Sequence, residues 1–149
     1  MLVRLALESD REALRQMGRS HVAEITPELE WSDVRANATF DRYMTGANPT
    51  FLVVEHRREV IGYLMYVVAD FAFTAGFYAE LELIYVRPVN RGSRAAALLM
   101  NEFRTWVKRV KPAKVLISAA NKGISPKTLR FIQKMGFAPV GQVYELTGE

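Results

Sequence analysis

The stretch that most constrains this chain is Glu80-Leu-Glu-Leu-Ile-Tyr-Val-Arg-Pro-Val-Asn-Arg-Gly-Ser-Arg-Ala-Ala-Ala-Leu-Leu99. Its first part alternates, with Leu81, Leu83 and Tyr85 against Glu80, Glu82 and Ile84, which is the period-2 pattern of a half-buried β-strand. Pro88 has no N–H to give and Asn90 favours turns, so the strand ends there. Arg91-Gly92-Ser93 follows, and an apolar pattern of helical period begins at once. A strand that enters a helix through a glycine-containing turn aims several free backbone N–H groups at one point. The positive end of the helix dipole lies at the same place, so the turn is suited to hold an anion.

The charge distribution bears on which anion. The chain is +4 overall, yet residues 87–134 hold twelve Lys/Arg and a single acid, Glu102. That segment is therefore +11 and the remainder −7. Such asymmetry suggests a polyanionic partner, either nucleic acid or a phosphorylated cofactor, against the plainer reading of a solvated basic face. The chain has no cysteine, so neither a disulfide framework nor a thiolate nucleophile is available. With only two histidines, His21 and His56, no catalytic metal is expected. No apolar run reaches the roughly 18–20 residues of a membrane helix, and Met1 to Asp10 lack the basic-then-apolar order of a signal peptide. The expectation is one domain over residues 1–149, cytoplasmic and not membrane-bound.

Taken in order, Val3 to Leu7 alternates like a short strand. Ser9-Asp10-Arg11-Glu12 reads as a capping box that opens a helix through Ala13, Leu14, Met17 and His21. A second helix starts near Ser32, with Val34, Ala38 and Tyr43 on its apolar side, and stops at Gly46 before Pro49. Thr50–Glu55 and Glu59–Val68 flank a polar turn and form an antiparallel hairpin, and Gly62 marks a bulge or a close backbone approach. The aromatic segment from Asp70 to Tyr78 lines a substrate mouth, makes a homodimer contact or packs under the core. Beyond the opening stretch, Ala95, Leu99, Phe103, Trp106 and Val110 mark a helix from about Gly92 to Val110. Lys114–Ala119 reads as a strand, and Ser125-Pro126 opens a last helix that Gly136 ends. Phe137–Val140 and Gln142–Leu146 close the chain as two more strands. The order is β-α-α-β-β-β-α-β-α-β-β, an α+β fold with a mixed, mostly antiparallel sheet of six to seven strands and helices on both faces.

This order resembles the GNAT superfamily of acyl-CoA-dependent N-acyltransferases across essentially the whole chain. Three local marks carry the resemblance. Val86-Arg87-Pro88 before Arg91-Gly92 is similar to the family's approach to its pyrophosphate loop. Lys134-Met135-Gly136-Phe137 is similar to its last-helix ending, and Glu59-Val60-Ile61-Gly62-Tyr63 to its third strand. The resemblance implies that acetyl-CoA is the cosubstrate. Its pyrophosphate would lie on Arg91, Gly92, Ser93, Arg94, Ala95 and Ala96. Its pantetheine arm would lie along Ile84, Tyr85 and Val86, where an N–H polarises the thioester carbonyl. Ser125 is a further cofactor contact, and the basic block surrounds the adenosine phosphates.

Two departures stand out. Arg94 occupies the place of the family's first loop glycine, as in divergent and often phage-borne members; a first helical turn has negative φ, so arginine is sterically admissible. Ile132 occupies the place where the family often has a tyrosine as general acid, leaving water, Ser125 or Tyr144 for the departing thiolate. The base is expected at Glu80 or Glu82, Glu80 first. Two carboxylates on one strand face raise one another's pKa toward a useful range. His21 is either a satisfied histidine or a substrate-side base. The function these residues imply is acetyl transfer to a primary amine, with the acidic Glu24, Glu28, Glu30 and Asp33 suiting a cationic acceptor. The alternatives are a CoA-binding regulatory module that has lost its chemistry and, last, a nucleic-acid-binding protein.

Overall fold

A computed structural model describes residues 1–118 and 124–148. One sheet is formed by β1 (Leu2–Leu5), β2 (Thr50–His56), β3 (Glu59–Asp70), β4 (Phe77–Val86) and β5 (Lys114–Ile117), in that spatial order. Each of the first four strands is antiparallel to its neighbour, and β5 lies parallel to β4. The helices are α1 (Arg11–Ile25), α2 (Asp33–Gly46), α3 (Ala95–Val110) and α4 (Pro126–Lys134). Helix α3 is the crossover that a parallel pair requires. The mixed α+β fold thus stands as expected, with five strands among the described residues rather than six or seven.

Each face of the sheet has its own apolar layer. On one, α3 sets Ala95, Leu99, Met100 and Phe103 against Leu64, Tyr66, Ala79 and Leu81. Burying a side chain such as Phe103 or Leu99 contributes about 1.5–3 kcal/mol, so this stripe anchors the crossover. Trp106 joins it by packing on Tyr66, ring centroids 4.6 Å apart. On the other face α1 and α2 bring Leu14, Met17, Phe40 and Tyr43 onto Phe51, Val53, Tyr63 and Tyr85.

Several local expectations are corrected. The first helix does not begin with a Ser9–Glu12 box. Asp10 is drawn instead into a bidentate pair with Arg4 at 2.7 and 3.1 Å, and it accepts from the Leu7 N–H at 2.7 Å, so a 3₁₀ turn (Glu8–Asp10) precedes α1. In α2 the inward residues are Phe40 and Tyr43, while Val34 is 81% exposed. The Ser32 cap is present, its hydroxyl accepting from the Arg35 N–H at 3.2 Å. The segment after Asp70 is not under the core: Phe73 is fully exposed. The two closing strands do not form. Val140, Val143, Tyr144 and Leu146 lie 75–96% exposed, and Pro139 lacks a ladder donor. The end expected for the fifth strand, Ala119, lies outside the described residues.

Candidate active site

The site is made by a splay in the sheet. β5 pairs with β4 from Tyr78–Lys114 only as far as Leu81–Ile117. Beyond that point Glu82 to Val86 continue with β3 on one side and no strand on the other among the described residues. The cause is a bulge in β4. Leu81 pairs with Tyr66 and Leu83 with Met65, which leaves Glu82 without an opposite number. The extra residue turns the strand by one position. Ala79 and Leu81 face α3, whereas Leu83 and Tyr85 face α1 and α2. The uniform alternation from Leu81 to Tyr85 read from the sequence is therefore broken at Glu82.

A cleft of about 540 Å³ opens in the splay. Its walls are Leu81–Val86 of β4, Ile117 and Ser118 after β5, the turn and first residues of α3, the inner side of α4, and His21, Glu24 and Ile25 from α1. At its end the chain leaves β4 through a 3₁₀ turn (Pro88–Asn90), and Gly92 takes φ +85°, a conformation that favours glycine. The N–H groups of Gly92, Arg94, Ala96 and Ala97 have no backbone partner among the described residues. They lie at the positive end of the dipole of the 16-residue α3, a geometry suited to an anion. Arg94 has φ −82°, so its position requires no glycine.

Of the residues expected to hold cofactor, Ile84, Tyr85, Val86, Arg91, Gly92, Ser93, Ala96 and Ser125 line the cleft. Arg94 and Ala95 do not. Arg94 is exposed, and the Ala95 methyl is buried in the α3 core. Arg91 lines the cleft already engaged. Its guanidinium makes two 2.7 Å hydrogen bonds to Glu24, its Nε donates to the Val86 carbonyl at 2.8 Å, and it lies 5.3 Å from the Tyr85 ring centre. It ties the turn to the end of α1 rather than projecting toward a phosphate.

The two carboxylates proposed for β4 are separated by the bulge. Glu82 lines the cleft and Glu80 does not. Glu82 keeps one side open to water, yet partial burial raises its pKa above the usual carboxylate value, and the neighbouring Glu80 charge adds to the rise. Of the acidic group in the first third, only Glu24 reaches the cleft. Ile132 is buried and lines it as an apolar wall; Tyr144 does not reach it.

His21 is the residue whose surroundings the sequence least revealed. It is 7% exposed, its Nδ1 lies 2.8 Å from the Tyr63 hydroxyl, and its ring rests on Tyr85 with centroids 5.1 Å apart. Burial lowers its pKa to about 4, opposed by Glu24 and assisted by Arg91, so the ring is neutral. Asn90, Lys127, Thr128 and Lys134 also line the cleft. The signal for the two lysines was the basic block; for Asn90, nothing beyond its turn propensity.

The family profile described as the acetyltransferase (GNAT) family matches residues 14–137, and the chain belongs to that family. No curated protein matches it in sequence. Solved structures similar over nearly the whole chain include a transcriptional regulator from Bacillus halodurans, with 18% identity, TM-score 0.80 and 99% of both chains covered. An aminoglycoside antibiotic 6'-N-acetyltransferase from Acinetobacter haemolyticus has 16% identity and TM-score 0.78, covering 100% of this chain and 99% of that one. A ribosomal-protein-alanine N-acetyltransferase from Brucella melitensis biovar Abortus has 13% identity and TM-score 0.79, covering 99% and 98%. At these identities the likeness is one of fold. Among the described residues no helix is long and apolar enough to cross a membrane, and no group of three or more His, Asp or Glu could hold a metal ion.

Proposed function

We propose that the protein transfers an acetyl group from acetyl-CoA to a primary amine by direct attack on the thioester. The observation that carries this reading is the edge of β4 from Glu82 to Val86, unpaired on its β5 side among the described residues, which runs into a turn whose N–H groups have no backbone partner there. An extended pantetheine arm pairs with that edge, and the pyrophosphate sits at the turn. Lys127 and Lys134 stand nearby for the remaining phosphates. Glu82 is the base nearest the thioester, and Glu80 raises its pKa. The amine nitrogen forms a bond to the carbonyl carbon and gives its proton to Glu82. A main-chain N–H at Ile84 to Val86 supports the oxyanion. The C–S bond then breaks and the thiolate takes a proton from water or Ser125. A cationic acceptor and a cytoplasmic setting belong to the same reading.

Thermal unfolding with acetyl-CoA is the first test, because ligand at 100 times its Kd stabilises by about 2.7 kcal/mol. An absent shift at millimolar ligand removes both the cofactor and the role of the turn. Thiol release with a panel of amines is the second. Ile132, apolar where a proton donor would help, favours the other reading of a CoA-binding module without catalysis. That module would show the thermal shift but release no thiol with any amine.

A further inference from the structure

We infer that His21 is a specificity-determining residue of the acceptor half of the cleft: its Nε2–H donates a hydrogen bond to an oxygen carried next to the amine that is acetylated. The acceptor would then be an amine bearing a neighbouring carbonyl or hydroxyl, as in an aminoacyl amide, rather than a plain alkylamine or polyamine. The inference rests on the acetyl-transfer reading and adds the acceptor's chemistry to it.

The argument begins with Tyr63. Its hydroxyl is buried and has one partner among the described residues, His21 Nδ1 at 2.8 Å. If Nδ1 carried the imidazole proton, it would donate to the phenol oxygen and leave the phenol's own hydrogen buried without an acceptor, a cost of about 1–3 kcal/mol. The reverse arrangement satisfies both groups. Tyr63 O–H donates, Nδ1 accepts, and the single proton of the neutral ring resides on Nε2. The tautomer makes His21 a hydrogen-bond donor, not the substrate-side base that its sequence position allowed.

Nε2 has no protein partner among the described residues. No fully buried side-chain nitrogen or oxygen there lacks one either, so Nε2 keeps contact with solvent, and His21 lines the cleft. His21 and the Tyr85 ring beneath it belong to the α1–α2 side of β4, whereas the β4 edge that faces the splay and α4 is the donor's side. Its charged neighbours are Glu24 on α1 and Arg91 on the turn; Tyr63 on β3 and Tyr85 on β4 complete its surroundings. Glu24 and Arg91 neutralise each other. Among the described residues the cleft thus offers the Glu82 carboxylate for the amine and a neutral donor, His21, for an oxygen.

The test uses nitrogen-detected imidazole NMR on the whole chain, in which only His21 and His56 contribute, with H21Q assigning the signals. His21 is expected to show the Nε2–H tautomer, and its Nε2 signal to move with glycinamide but not with propylamine when CoA is present. An Nδ1–H tautomer, or equal response to the two amines, overturns the inference. In turnover, H21L should lower the wild-type ratio of glycinamide to propylamine rates by roughly tenfold or more, whereas H21Q should keep it; comparing variants cancels the different basicities of the two amines. Tyr63→Phe, which frees the tautomer, should move the ratio of the two rates in the direction of H21L. A ratio of glycinamide to propylamine thiol release that H21L leaves unchanged sinks this assignment and leaves acetyl transfer standing. The expected NMR response without thiol release sinks acetyl transfer and leaves His21 as a binding group.

Discussion

Gly62→Ala offers the sharpest check on how the sheet forms the cleft. A Cβ on Gly62 would lie 2.7 Å from the Tyr85 carbonyl oxygen, 3.1 Å from Val54 Cγ1 and 3.3 Å from Val86 Cα. To reach an ordinary contact of 3.4 Å, the Tyr85 carbonyl must retreat by about 0.7 Å, and it is main chain with no rotamer to change. Val86 pairs directly with Gly62, and the Arg87 N–H donates to the Ile61 carbonyl at 2.8 Å, so the strand cannot yield without loosening its ladder. Forcing one extra carbon into such a site costs about 1–3 kcal/mol. For a domain of this size that lowers Tm by roughly 2–12 °C. The displaced residues include the β4 end proposed to hold pantetheine, so the acetyl-CoA thermal shift should shrink as well. Differential scanning fluorimetry with and without acetyl-CoA reads both effects. A variant with unchanged Tm and an unchanged ligand shift would refute the reasoning, because it would mean that the Gly62 approach is not tight.

Glu82→Gln should lower kcat by about a hundredfold or more with the acetyl-CoA shift intact. In wild type the rate should rise with pH through the raised pKa of Glu82, and Glu80→Gln, by removing a like charge, should move that rise to lower pH; unchanged profiles in both variants would place the base elsewhere. Arg94→Gly should not tighten CoA binding, since φ at this position is already −82°; calorimetry giving tenfold tighter binding would count against the turn geometry. Asp10→Asn should cost about 2 kcal/mol by leaving Arg4 and the Leu7 N–H poorly matched. Burial pushes the Asp10 pKa up, but the bonds from Arg4 and Leu7 outweigh it and leave the value below 3.8. That stabilisation is therefore full above pH 3.8 and lost as pH falls through the lower folded value, and urea midpoints measured across acidic pH check the sign.

What the sequence alone determined was whatever depends on neighbours along the chain. The hairpin of β2 and β3, the Ser32 and Ser125 caps and the strand–turn–helix at Arg91 are all legible because turn chemistry, capping and periodicity act over a few residues. Gly62 could be read as a close approach for the same reason. Tertiary structure decided what needs a partner from elsewhere. One unpaired residue, Glu82, shifts the faces of β4, puts one carboxylate in the cleft and leaves the other outside it. Such a bulge arises from pairing with β3, and no local pattern announces it. The expected Ser9–Glu12 box gave way to Asp10, which Arg4 of β1 draws into an ion pair, and Arg91 turned to Glu24, 67 positions away. His21, one polar residue on an amphipathic helix, is buried because Tyr63 and Tyr85 pack against its ring. At the turn after β4 the tertiary contacts likewise decide which side chains are engaged: Arg91 is tied to Glu24 and Val86, whereas Arg94 is exposed.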